Sequence, residues 1–279
     1  MTGSELAAAS AAAVTGAAVC GSLLRRRLRA AIPPHLMRVN VSGRRVPIVL
    51  APPIACGTGA GLLVGLVVVG LTGGSVPARL AAASCVVFVS LWLAGTWDDR
   101  RGDELPRGFT GHLEAARRLR LTGGILKLLV GCAAGLIAGA IVAHGMDILE
   151  VALAVALGAN LINLLDRAPG RAGKIALLAM LPLAVLGAGA WTACSAGVIA
   201  SLAVALPPDL KEKAMLGDAG ANPVGALLGL GLGVSLPEIW LVIAIAVMLG
   251  LNLASERWSF SQFFARIPML NAFDRIGRR

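Results

Sequence analysis

Nine apolar stretches run along the chain, at about 6 to 24, 48 to 72, 79 to 96, 125 to 143, 148 to 165, 175 to 190, 194 to 207, 223 to 236 and 238 to 255. Several approach the ~20 residues with which a helix crosses the hydrocarbon core of a bilayer. The stretches at 194 to 207 and 223 to 236 are short, which leaves the number of spans open between eight and ten. Polar residues collect in alternate gaps, and the gaps between those are only a few residues long. The pattern predicts an all-α polytopic membrane bundle of about nine to ten transmembrane helices, with a cleft at the face where the polar gaps lie. No linker or internal repeat divides it, so residues 1–255 are read as one helical domain and 256–279 as a short tail.

Composition agrees with this pattern. Of the 279 residues, 57% are hydrophobic and 14% charged, against roughly 25% charged in soluble domains. The mean hydropathy is +0.81. Aromatic residues are 4% and Tyr is absent, while Ala, Leu, Val and Gly dominate, as suits helices packed closely in lipid. The net charge of +10 would point to nucleic acid in a soluble protein, but its placement argues otherwise. With the first helix starting outside, 24 of the 25 basic residues fall in inside segments and only Arg79 lies outside. The positive-inside rule then predicts the N-terminus out and the C-terminus in. The basic balance is read as topology plus attraction to anionic membrane lipids and phosphates, with no nucleic-acid surface. The first charge is Glu5 and the arginines follow the first apolar run, so that run is expected to stay as a helix and not to be cleaved as a signal. The five cysteines lie in apolar stretches without metal-ligand spacing. In the tail, Trp258, Phe260, Phe263, Phe264 and Phe273 alternate with Arg257, Arg266 and Arg275. This suggests an amphipathic segment on the inner membrane surface, or one packed under the bundle or against a partner.

Eleven of the fifteen acids also fall inside, and three groups sit where a span ends. The first is GTWDDRRGD, with Asp98, Asp99 and then Asp103. Adjacent carboxylates repel unless a cation or proton lies between them, and a hard cation takes oxygen ligands of this kind. A solvated helix end beside Arg100 and Arg101 is the alternative. The second is GANLINLLDRAPGRAGK, where Asn160, Asn163 and Asp166 are spaced by three and share a helix face. They either face a polar cavity or bond between helices as packing glue. The third is MLGDAGANPVGALLG, where Gly217 and Gly220 flank Asp218 before a helix. It is either a site of close backbone approach to a phosphate or a plain glycine turn.

Together and in this order the three sites resemble the polyprenyl-phosphate N-acetylhexosamine-1-phosphate transferases, glycosyltransferase family 4. That family includes the phospho-N-acetylmuramoyl-pentapeptide and undecaprenyl-phosphate GlcNAc-1-phosphate transferases. The resemblance is carried by the Asp98–Asp99 pair, by N-x-x-N-x-x-D at Asn160, Asn163 and Asp166, and by M-x-G-D-x-G at Met215, Gly217, Asp218 and Gly220. Partial matches occur at Gly43 to Pro47 and Gly111 to Lys127, and the similarity covers roughly residues 36 to 255.

The resemblance implies Mg2+-dependent transfer of a sugar 1-phosphate from a UDP-sugar to a polyprenyl phosphate, in peptidoglycan or other cell-envelope synthesis. It implies a multi-pass protein of the bacterial inner membrane and is compatible with a homodimer. By the same resemblance Asp98, Asp99, Asp166 and Asp218 are catalytic, with Asp99 and Asp218 at the metal and Asp98 on the lipid phosphate. Arg45, Asn160, Asn163 and Lys127 would bind substrate, and Arg117, Arg118 and Arg120 would steer phosphates. The chain departs from the family pattern at Pro169, where an acid associated with the nucleotide is common. It also lacks a histidine-rich C-terminal loop, having only His35, His112 and His144. These departures keep a second reading open, a catalytically degenerate relative that binds polyprenyl phosphate or scaffolds envelope enzymes. A transporter is a third reading, set back by acids that cluster on one face and by the lack of an inverted repeat.

Overall fold

The computed structural model describes residues 1–74, 76–101, 123–186 and 189–278. Asp103, Arg107, His112 and the arginines at 117, 118 and 120 lie outside the described residues. The chain forms helices α1 (Gly3–Arg27), α2 (Ala51–Leu71), α3 (Ala78–Arg101), α4 (Gly123–Val142), α5 (Asp147–Leu165), α6 (Arg171–Leu186), α7 (Gly189–Leu210), α8 (Asp218–Ser235) and α9 (Glu238–Ser255). Two short helices follow, α10 (Phe260–Arg266) and α11 (Pro268–Arg275). Strands β1 (Met37–Val39) and β2 (Arg45–Pro47) pair antiparallel between α1 and α2.

Each of the nine apolar stretches is a helix. Seven of them are long and apolar enough to cross a membrane: α1 to α5, α7 and α9. Two differ from the expected nine or ten spans. Helix α6 has 16 residues and contains Pro182. Helix α8 carries Asp218, Asn222, Pro223 and a run of glycines, and it is buried from Ala219 to Gly231. A helix wrapped by its neighbours has no lipid to satisfy, so its composition falls below that of a lipid-facing span. In contrast, α7 extends over 22 residues, beyond the short stretch at 194 to 207 at both ends, starting at Gly189 and carrying Pro207 and Pro208 in its last turns.

Local signals set the boundaries. Thr2 and Glu5 form a reciprocal cap at the start of α1, with the Thr2 amide donating to Glu5 Oε2 at 2.7 Å. Arg25, Arg26 and Arg27 occupy its last turn, where cations complement the helix dipole. Prolines at the start of α2 occupy positions with no intrahelical donor to lose.

Packing relies on small residues. Helices α1, α2 and α7 form one group, and α3, α4, α5, α8 and α9 a second, with α6 against α7 and α8. Where α5 meets α8, a Cβ on Gly158 would stand 2.6 Å from the Gly225 carbonyl oxygen, and one on Gly229 would strike the Ala154 carbonyl. The first group repeats the device, since a Cβ on Gly61 would lie 2.6 Å from the Ala12 carbonyl oxygen. Small residues four apart let backbones touch, and dispersion contacts then hold helices that gain no hydrophobic energy from leaving lipid.

Candidate functional site at the carboxylate end of the bundle

The ends of α3, α5 and α7 and the starts of α4, α6 and α8 meet at one end of the bundle, beneath which lie the hairpin and the tail. Gly95 makes the central junction: a Cβ there would stand 2.5 Å from the Asp218 carbonyl carbon and 2.6 Å from Ala219 Cα. The first turn of α8 therefore rests directly on α3. Asp99, 8% exposed, accepts the Asp218 amide at 3.2 Å on Oδ1 and the Ala219 amide at 3.0 Å on Oδ2. Both oxygens thus serve amides that a helix N-terminus leaves unpaired. The Gly217 amide donates to Asp166 Oδ2 at 2.9 Å. Gly217 itself has φ +67°, and a side chain there would press on Asp99 and Ile48, so this position needs glycine for conformation and for space.

The remaining two carboxylates share a lysine. Lys127 Nζ, near the start of α4, lies 2.7 Å from Asp98 Oδ2 and 2.5 Å from Asp218 Oδ2. Asp98 and Asp218 therefore already clasp a cation. Arg38 donates to the Asp99 carbonyl at 2.8 Å. The Met215 amide donates to the Pro47 carbonyl at 2.8 Å, and Val41 donates to the Arg167 carbonyl at 3.0 Å. These bonds hold the hairpin against the segment before Asp218 and against the loop after α5. Burial, with the Asp209, Asp218 and Asp99 carboxylates nearby, pushes the Asp166 carboxyl well above the usual range.

The four predicted acids and Lys127 are thus brought together. Asn160 is not: its amide donates to Asn252 Oδ1 on α9 at 2.6 Å, which is the interhelical bonding left open by the spacing. Asn163 is half-buried one turn before the end of α5. Arg45 is exposed on β2, its backbone paired with Val39. Sequence reasoning missed Arg38 as a contact of the aspartate pair and Asp209 as an acid behind Asp166. Asp209 is 3% exposed, yet Pro-Pro-Asp-Leu-Lys-Glu-Lys reads as a solvated loop. The tail, for which three placements were open, packs under the bundle. Arg171 Nε and Nη2 donate to Asp274 at 2.9 and 2.8 Å, and Lys174 Nζ donates to the carbonyls of Phe273, Asp274 and Ile276.

Among the described residues, no three His, Cys, Asp or Glu side chains are grouped to hold a metal ion by themselves. Magnesium, however, is commonly bound by one or two carboxylates, with water and substrate phosphate completing the octahedron. Asp98 and Asp218, already 2.5 to 2.7 Å from a cationic nitrogen, fit that requirement. Asp99 differs, because both its oxygens are engaged by α8. No family model matches the chain, and no curated protein matches it.

Proposed function

We propose that the protein transfers a sugar 1-phosphate from a UDP-sugar to a polyprenyl phosphate at the cytoplasmic face of a bacterial inner membrane, in envelope polysaccharide or peptidoglycan synthesis. The observation that carries this reading is the gathering of Asp98, Asp99, Asp166 and Asp218 at one end of a bundle built for lipid, with Lys127 bridging Asp98 and Asp218. A cluster of carboxylates with a lysine between two of them suits a reaction between two phosphorylated substrates, one of them a lipid. The motif resemblance to the polyprenyl-phosphate sugar-phosphate transferases supports the same choice.

In the reaction an oxygen of the lipid phosphate attacks the phosphorus that bears the sugar. The bond from that phosphorus to UMP breaks, and a lipid-linked pyrophosphate forms. Such transfer depends on positioning and charge neutralisation more than on covalent chemistry. Magnesium held by Asp98 and Asp218 would neutralise diphosphate charge. Lys127 binds phosphate oxygen from between the same two carboxylates. Asp99 fixes the first turn of α8, so that Asp218 is presented at a set height. Asp166 holds the Gly217 turn, while Arg38 ties the hairpin, with Arg45 on it, to the end of α3.

The test is radiolabel transfer by the purified protein with polyprenyl phosphate and a panel of UDP-sugars, with and without magnesium. Metal-dependent lipid product supports the reading, and no product from any donor contradicts it. The lysine seated between Asp98 and Asp218 favours a second reading, a relative that binds polyprenyl phosphate without transfer. Saturable lipid-phosphate binding without product would select it.

The same proposal sets orientation, with the N-terminus out, the C-terminus in, and α6 and α8 completing nine membrane-embedded helices. Reporter fusions after Arg101 and after Arg171 are expected to be cytoplasmic. An external reporter at either position would contradict the shared face.

A further inference from the structure

We propose that the seam between α1 and α7, at the end where the carboxylates gather, holds the headgroup of a phospholipid with two phosphates, its acyl chains lying along the same seam. The two helices pack parallel. A Cβ on Gly16 would stand 2.7 Å from the Gly197 carbonyl oxygen, Cys20 Sγ donates to the Ser201 carbonyl at 3.4 Å, and a Cβ on Gly21 would lie 3.5 Å from Val204 Cγ1. Beyond that last contact, Arg25, Arg26 and Arg29 on one side and Lys211 and Lys213 on the other come on the order of 10 Å further along. Five exposed cations thus meet at one level.

The acids that could neutralise them are engaged elsewhere. Glu212, between the two lysines, sits at φ +54°. Its carboxylate pairs with Arg44 at 2.6 Å and accepts from Asn40 at 3.0 Å, both on the hairpin. Asp209 is 3% exposed. Among the described residues none of the five cations has an ion-pair partner, and only Arg25 has a side-chain hydrogen bond, to the Ser22 hydroxyl at 3.4 Å. Arg27, seven residues after Cys20 and so on the α7 side of its helix, keeps a buried Nε with no hydrogen-bond partner among the described residues. The positive-inside rule asks for cations at one face of the membrane. It does not ask for a cluster on one seam whose acids are spent elsewhere.

The surface leading to the cations is apolar and shallow. Val14 and Ala18 are exposed on the α1 face that continues to Arg25 and Arg29, and Ala203 and Pro207 are exposed on α7 eight and four residues before Lys211. Small side chains there leave room for acyl chains, which favours a lipid over a soluble phosphate as the occupant. Basic pockets between helices at a membrane face hold headgroups of high negative charge. One phosphate takes the fork of an arginine, and cations on both walls of the seam suit two phosphates.

The test is titration of the purified full-length protein, in uncharged detergent, with diphosphatidylglycerol, phosphatidylglycerol and phosphatidylcholine, bound lipid being counted by native mass spectrometry. Arg26→Gln/Arg29→Gln and Lys211→Gln/Lys213→Gln are compared with Arg257→Gln/Arg266→Gln, which removes two exposed charges from the tail at the same end. Wild type is expected to bind one diphosphatidylglycerol more tightly than phosphatidylglycerol, with phosphatidylcholine weakest. Each seam variant should lose at least about tenfold in that affinity, the scale of taking two cations from an anionic headgroup, and the tail variant should match wild type. Equal loss in all three variants would mean diffuse attraction and would overturn the site. Diphosphatidylglycerol binding no tighter than either other lipid would overturn the two-phosphate headgroup. Displacement by an equal concentration of polyprenyl phosphate would give the seam to that lipid and overturn the phospholipid. The seam shares no side chain with the Asp98, Lys127 and Asp218 cluster, so these outcomes do not depend on transfer.

Discussion

Asp218→Asn is expected to abolish metal-dependent transfer while leaving the protein folded. The substitution keeps the size of the side chain and removes the charge that pairs with Lys127 Nζ at 2.5 Å. The fold at this point depends on the Asp218 backbone, whose amide donates to Asp99 and whose carbonyl accepts from Asn222 at 2.7 Å. Neither bond needs the Asp218 carboxylate. The expected loss is at least about 10²-fold, the scale of removing one preorganised electrostatic group from a reaction centre. Asp99→Asn should behave differently, since its amide nitrogen would be forced toward an α8 N–H. That variant should lose stability together with transfer. Transfer assays beside thermal melts of both variants separate the two roles, and full activity in Asp218→Asn would exclude Asp218 from the chemistry.

Asp274→Ala is expected to be the most destabilising single change in the tail. Arg171 has a side chain 2% exposed and meets Asp274 through two parallel bonds, while Arg278 bonds both Asp274 and the Pro169 carbonyl. Removing one partner of a buried pair leaves the other charge uncompensated, at a cost of about 3–5 kcal/mol. Thermal melts in detergent should show a clear fall, and an unchanged melt would mean that the tail is not anchored through this pair. Burial alone would raise the Asp274 carboxyl, but Arg171 and Arg278 hold it below the usual carboxylate range. Its stabilising contribution is therefore complete above the ordinary Asp value of ~3.9 and is lost as pH falls through the lower folded value. Wild type should lose stability there, and Asp274→Ala should lack that component.

Much of the fold was legible because a lipid-facing helix must be continuously apolar, and all nine apolar stretches are helices. The pattern was weakest where that constraint lapses. Helix α8 is buried by protein, so its composition reflects backbone contact through Gly225 and Gly229. Helix α7 runs through Pro207 and Pro208, which read as a stop. At the site, the acid groups were legible because charge at a span end is costly and stands out against apolar sequence. Their partners were not. The Asn160–Asn252 bond and the Arg171–Asp274 pair join positions on separate elements, and such pairings depend on how helices stack. The capping role of Asp99 was equally hidden, since nothing in Asp98-Asp99 says which carboxylate turns toward α8.

In the proposed function, Asp98 and Asp218 work on phosphate at the membrane surface. The most direct measurement is transfer of labelled sugar phosphate to polyprenyl phosphate by wild type, Asp98→Asn and Asp218→Asn, each with magnesium and with chelator. Lipid-linked product that needs the metal and disappears in both variants is the predicted result. Product that persists in either variant, or none from wild type with any donor, would contradict the claim.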